Sequence, residues 1–348
     1  MLAIALLGAM TLSLALGAVA IDPVAIVGIL AERLGLAGLA PFEPQQASVL
    51  TGIRLPRVVL GALVGAGLGL AGAGMQGLYR SPMADPALVG IGSGAALGAA
   101  IGIVVALVAG PGAVTGVTAV GGDLGVVGAL APVLLAAVGA IVASGLIYRV
   151  ASASGRTVVS AMLLGGIALN ALFGALTGLV VLAVRNPQLR DVSFWTLGGL
   201  SGATWRAVII LVLTLVPVAV LLWRRGPGLD ALALGHASAS HLGVDVRRQA
   251  RVVLVLVAVI TGVAVSQAGV IAFVALVTPI AARRYLGAST RNVIVGSALL
   301  GASVIVLADL VARSIVSPAE APVGLITAVA GAPVFLWLLV RDRGALAR

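Results

Sequence analysis

Few residues in this chain could do chemistry. It holds two histidines, His236 and His241, no cysteine and no lysine, so all 21 basic residues are arginine. Without cysteine there can be no disulfide, thiolate iron–sulfur cluster or thiol nucleophile. A Walker-type phosphate loop needs a lysine to reach the β- and γ-phosphates, so the chain cannot bind ATP through one. No catalytic residues, metal ligand set or permanently bound cofactor are expected. Both histidines lie in one polar stretch, 224–251, and none stands within an apolar run as a cytochrome's axial haem ligand would. Asp309 and Arg313 stand at the i,i+4 spacing of a helical ion pair.

The elements that carry these residues are read from composition. The 348 residues are 61% hydrophobic with a mean hydropathy of +1.22, and 9% are charged. That is too little polar residue to cover a water-soluble globule, and the fold class expected is an all-α, polytopic membrane protein. A net charge of +10 would suggest a nucleic-acid partner in a soluble protein. Here the arginines punctuate apolar runs, the pattern of membrane orientation.

A bilayer core of about 30 Å takes about 20 apolar residues per helix. Cutting at Arg, Pro and acidic punctuation gives ten spans, near 2–20, 56–78, 88–109, 125–148, 158–184, 204–223, 250–268, 270–286, 293–312 and 322–340, in a single domain over 1–348. Residues 1–20 end in Gly17-Ala18-Val19-Ala20 like a cleavage site but lack a basic n-region, so they read as the first span, with the true start left open upstream. Ten spans put both termini on one side. Placing them in the cytoplasm puts fourteen of the 21 arginines there, and Tyr79, Tyr148, Trp223 and Tyr285 then fall at headgroup level beside them.

Gly is unusually frequent, at 47 residues, without a collagen-like repeat. Gly61, Gly65, Gly69, Ala73 and Gly77 recur at four-residue steps, as do Gly90, Gly94, Gly98 and Gly102, and Gly166, Asn170, Gly174 and Gly178. Each ladder is a groove that another backbone can enter, and ordinary helix packing is the simplest use of it.

A proton- or sodium-coupled carrier holds ionisable residues in mid-membrane. None falls near the middle of an expected span, so the energy must come from elsewhere. The long cytoplasmic interruption, 224–251, contains two stretches that read as short amphipathic helices, Leu229 to His236 and Ala239 to Val244, each with a Gly suited to a left-handed cap. They form either a docking element for a soluble partner or merely a structured loop.

Several segments then carry a resemblance. They are Arg54-Leu55-Pro56-Arg57, Gln76 to Pro86 (QGLYRSPMADP), Gly92 to Gly98 (GSGAALG), Leu232-Ala233-Leu234-Gly235, Leu242-Gly243-Val244, Ala308 to Arg313 (ADLVAR), Ala319 to Gly324 (AEAPVG) and Gly331-Ala332-Pro333. Each is weak alone, but in this order they resemble the FecCD family, the permease subunits of binding-protein-dependent ABC importers for iron chelates, haem and vitamin B12.

The resemblance implies a homodimer around one pathway in the bacterial inner membrane. Two ATPase subunits, which bind the ATP, lie at the cytoplasmic face, and a periplasmic substrate-binding protein docks above. It makes 224–251 a coupling loop, with Leu232, Leu234, Gly235, His236, Leu242 and Gly243 as ATPase contacts. It matches Arg54, Arg57 and Arg313 to arginines that dock binding-protein glutamates, and these are expected as exposed salt-bridge formers on the outer face. Two departures stand out. Relatives carry Glu where this chain has His236, and His where it has Ile280.

For cargo, Phe194 to Leu200 (FWTLGGL), Ala203-Thr204-Trp205 and Gln76 to Pro86 look most like haem permeases of the family. Haem is thus the first reading, ferric siderophore the alternative and vitamin B12 the third, with an ion-coupled secondary carrier as the reading outside the class. Candidate pathway residues are Met75, Gln76, Met162 and Asn170, each of which could instead be buried packing.

Overall fold

A backbone in lipid must satisfy its own N–H and C=O groups, so apolar runs cut by Arg, Pro and Gly fold as helices. The computed structural model describes residues 1–16, 21–33, 35–36, 40–108, 125–151, 159–183, 195–315 and 320–341. Among the described residues there are helices and turns and no strand. The helices are α1 (Leu2–Ala15), α2 (Pro23–Arg33), α3 (Pro44–Val49), α4 (Leu55–Tyr79), α5 (Ile91–Val108), α6 (Gly125–Ala151), α7 (Val159–Ala183), α8 (Trp205–Ala233), α9 (His236–His241), α10 (Val246–Ala268), α11 (Val274–Leu286), α12 (Thr290–Ile315) and α13 (Val323–Arg341).

Six helical stretches are long and apolar enough to cross a membrane: Pro44–Tyr79, Leu130–Ala151, Ala161–Ala183, Trp205–Ala233, Val246–Ala268 and Thr290–Ile315. Shorter apolar helices cover Leu2–Ala15, Ile91–Ala106 and Val323–Trp337. Every expected range holds a helix, but α1 and α11 are shorter than a bilayer needs. α1 ends at Ala15, because Leu16 is extended, and the end of the expected first range, 17–20, lies outside the described residues. The helices α2 and α3 were not expected at all.

The centre of the fold is α4, which packs on α12, α10, α8 and α11, while α5 packs on α6 and α7 on both. The first two glycine ladders explain these contacts. A Cβ at Gly65 would lie 2.1 Å from the Gly301 carbonyl oxygen, and one at Gly69 equally close to that of Ser297, so α4 and α12 touch backbone to backbone. On α5, Gly98 meets the Leu135 carbonyl and Gly102 meets Pro132 of α6 in the same way. Dispersion contacts at this range replace the hydrophobic drive that lipid removes.

The third ladder behaves differently. Gly166 meets the Leu88 carbonyl, but a Cβ at Gly174 or Gly178 would meet nothing within 4 Å. Across the best window of α7 only 17% of residues are buried, against 78% for α4, so α7 leaves most of its surface outside the protomer.

Candidate functional site

At one end of the α4–α12 pair the chain gathers its charges. A π-turn over Leu50–Arg54 joins α3 to α4, where Pro56, in the first turn of α4, lacks a donor for the regular ladder. Two turns of helix around this point supply Arg54 and Arg57. The Arg57 guanidinium takes Asp309 side-on, with Nε 3.0 and 3.1 Å from the two carboxylate oxygens and Nη2 2.8 Å from Oδ1. Its Nη1 donates to both oxygens of Glu320, at 2.9 and 3.0 Å. Arg313 completes the expected i,i+4 pair with Asp309 at 3.1 Å and donates through Nη2 to Ser13 Oγ at 2.7 Å. Arg54 Nη1 donates to the Leu14 carbonyl at 2.7 Å. The carbonyl end of α1, the negative end of its dipole, therefore lies against two arginines.

The three arginines expected to dock a partner are thus brought together, but not as exposed groups. Arg54 and Arg57 are buried, and the Arg57 side chain is 8% accessible against 44% for Glu320. A guanidinium closed in by α1, α12 and the α13 entry has to be paired where it lies, because an unpaired buried charge costs several kcal/mol. Nothing in the local spacing pointed to Glu320 or to the link from Arg57 to Asp309.

At the other end, α8 runs unbroken through Pro227 to Ala233. The expected first short helix, Leu229 to His236, is therefore mostly the end of α8, and a single short helix, α9, follows. Gly235, with φ 110°, makes the corner between them, and Gly243, with φ 80°, ends the turn after α9, both conformations costly for a side chain. Leu232 is fully buried and anchors the corner rather than offering a contact, whereas Leu234 and Leu242 are exposed apolar side chains on either side of α9. His236 is half-buried, and burial together with the nearby Arg80 holds its imidazole below the ordinary histidine pKa.

This corner is tied to the core. Asp230 Oδ1 accepts from the Thr290 backbone N–H at 2.9 Å and from its hydroxyl, at the start of α12. Arg291 lies 4.3 Å over the Trp223 ring. A cleft of about 550 Å³ opens beside α9, lined by Tyr79, Tyr148, Leu232, His236, Ser240 and Arg247 among others. Tyr79 is itself buried, since α8 and α10 close over the end of α4.

Of the pathway candidates, Met75, Gln76 and Met162 are buried in the protomer core and do not line the cleft beside α9. Met75 and Gln76 lie in the close packing of α4 that its glycines permit, and Gln76 Nε2 donates to the Leu276 carbonyl at 2.9 Å, while Met162 is buried on α7. Asn170 differs. It borders a cavity of about 380 Å³ with Ser93, Gly174, Thr177, Gly178, Thr196 and Val270.

Asn170 also holds a clamp that sequence reading missed. Its Nδ2 donates to the Ala87 and Leu88 carbonyls at 3.1 and 3.2 Å, while Asp85 Oδ1 accepts from the N–H groups of the same residues at 2.6 and 3.2 Å. The signal was an Asp whose carboxylate could bond forward to the N–H two and three residues on. Burial raises the Asp85 carboxyl to about 6 despite these two backbone donors.

Comparison with known proteins gives the family. The chain is 40% identical over 325 residues to the cobalamin import system permease protein of Halobacterium salinarum, covering 92% of this chain and 82% of that one. It is 39% identical over 291 residues to the hemin transport system permease protein of Yersinia pestis, covering 84% and 83%. Among solved structures, a metal-chelate type ABC transporter in an inward-facing conformation superposes with a TM-score of 0.77 at 25% identity, over 98% of this chain and 97% of that one. The family described as FecCD transport matches residues 5–341, and the chain, a multi-pass membrane protein, belongs to that family.

Proposed function

We propose that this chain is the membrane-spanning subunit of an ATP-driven importer that passes haem from the periplasm to the cytoplasm by alternating access. It works as a homodimer in a bacterial inner membrane, with ten spans and both termini cytoplasmic. The observation that carries the reading is the outward face of α7. Among the described residues a Cβ at Gly174 or Gly178 would meet nothing within 4 Å, and beside Asn170 they border a cavity that Thr196, of the haem-permease-like Trp195 to Leu200 stretch, also lines. A second protomer facing this surface would close a pathway with few polar side chains, suited to a flat amphipathic macrocycle.

The two ends divide the remaining work. The α8–α9 corner, with Leu234 and Leu242 exposed, is the surface for the ATPase subunit, which binds ATP on the permease's behalf. The arginine cluster faces an acidic substrate-binding protein. The middles of α4 to α8, α10 and α12 carry no ionisable residue, which supports an external source of energy over an ion-coupled carrier.

Cobalamin is the second reading for cargo, favoured by the 40% identity to the Halobacterium permease, and a ferric siderophore the third. Proteoliposomes holding the permease, its ATPase and its binding protein test the choice. Haem uptake on ATP addition, undiminished by excess cobalamin or ferric siderophore, is expected. Uptake of either competitor in place of haem overturns the cargo assignment.

A further inference from the structure

Among the described residues, two carboxylates, Asp309 and Glu320, meet the Arg57 guanidinium, and they are bound in unlike ways. Asp309 is 2% accessible, takes the Nε–Nη2 edge of Arg57 and also pairs with Arg313. That edge is the bidentate one, where a guanidinium binds carboxylate best. Glu320 is 44% accessible and meets Arg57 end-on, both of its oxygens on the single nitrogen Nη1. The first contact is a buried, doubly used pair. The second leaves its carboxylate half-exposed, where solvent screens the pairing.

One guanidinium nitrogen is therefore held by a carboxylate that water already reaches. We propose that Glu320 is a stand-in for a carboxylate of an acidic protein partner, occupying Arg57 Nη1 at rest and giving it up when that partner docks. This rests on the docking role given above to the arginine cluster, and it supplies what that role lacked, a way for a buried arginine to be reached. Asp309 keeps Arg57 oriented throughout, so exchange needs only the Glu320 side chain to turn into solvent. Until then Glu320 shields the site from small anions and from unrelated acidic surfaces. Exchange of one carboxylate for another leaves the charge on Arg57 matched at every stage, which avoids exposing an unpaired buried cation.

The test is the affinity of the substrate-binding protein for the permease–ATPase complex, with permease variants. Glu320→Gln removes the competing charge while Asp309 still holds Arg57, and affinity is expected to rise about tenfold. Glu320→Asp, with charge kept and reach shortened, should give a smaller gain. Glu43→Gln removes an acidic residue with no contact to Arg57 and should change affinity less than about twofold, the size of a screened long-range effect. A change at Glu320→Gln no larger than at Glu43→Gln, or a loss of affinity, overturns the exchange. Neutralising the binding protein's own acidic residues separates the two levels. If that leaves affinity intact, the docking role itself fails. If it weakens binding while Glu320→Gln gains nothing, docking stands and exchange fails.

Discussion

Arg57 on α4 and Asp309 on α12, 252 positions apart in sequence, share a buried ion pair in which Nε and Nη2 lie 3.0 and 2.8 Å from one carboxylate oxygen. Asp309 also neutralises Arg313, so its charge serves two cations. Asp309→Asn keeps the shape and removes the charge, leaving two guanidiniums short of a partner. Breaking a buried pair from one side costs about 3–5 kcal/mol. Thermal unfolding of the purified permease in detergent should show a loss of that order. A shift of under about 1 kcal/mol would mean that the pair is solvated as the protein works.

The glycine ladders separate packing from function. Gly65→Ala puts a methyl group 2.1 Å from the Gly301 oxygen, which α4 and α12 can relieve only by moving apart. Overpacking of this kind costs about 1–3 kcal/mol. Gly178→Ala meets no atom of the protomer within 4 Å, so its stability should be unchanged or slightly higher. Its effect should appear instead in dimer yield or transport rate. Comparable melting losses for both variants would put the Gly178 face inside the protomer.

Sequence and structure agree most where one residue type answers one local demand. Helices stand in all ten expected ranges because lipid leaves the backbone no other choice, and the first two ladders pack as glycine spacing requires. The i,i+4 pair of Asp309 and Arg313 formed because a helix makes those positions neighbours. What stayed hidden needed the third dimension. The burial of Arg54 and Arg57 follows from α1 folding back on α12, and the Asn170–Asp85 clamp joins α7 to the α4–α5 turn. For Met75, Gln76 and Met162 the sequence left pathway and packing both open, because a buried core and a pathway wall use the same residues in a membrane protein. Continuation of α8 through Pro227 to Ala233 removed the helix end expected near 223.

Asp85 gives a pH signature. Its carboxyl titrates near 6 in the folded chain, above its ordinary value of 3.8, because burial disfavours the charged form. A raised folded-state pKa stabilises fully below about pH 4, and that contribution is lost as pH rises through about 6. Keeping the buried carboxylate charged at neutral pH costs on the order of 3 kcal/mol. Asp85→Asn keeps the acceptor for the Ala87 and Leu88 N–H groups without the charge. Its melting temperature should exceed that of the unaltered chain at pH 7.5, and the difference should shrink toward pH 4. Equal melting temperatures across that range would mean that water reaches the carboxylate.

The inner corner separates anchor from contact. Leu232 is fully buried, so Leu232→Ala should cost about 2–5 kcal/mol of stability. Leu234→Arg and Leu242→Arg alter side chains already in solvent and should leave melting unchanged. They should abolish co-purification of the ATPase subunit. Retention of the ATPase by the double variant would remove α9 and its flanks from the interface.

The proposed division of labour between this chain and an ATPase rests on the missing lysine and on long helices, α4 to α8, α10 and α12, whose middles carry no ionisable residue. It is tested most directly by loading proteoliposomes with the permease and its ATPase, adding cargo-loaded binding protein outside, and comparing ATP in the lumen with an imposed proton or sodium gradient. Cargo uptake is expected with ATP alone, and none with either gradient when the ATPase is omitted. Gradient-driven uptake by the permease without the ATPase would contradict the division.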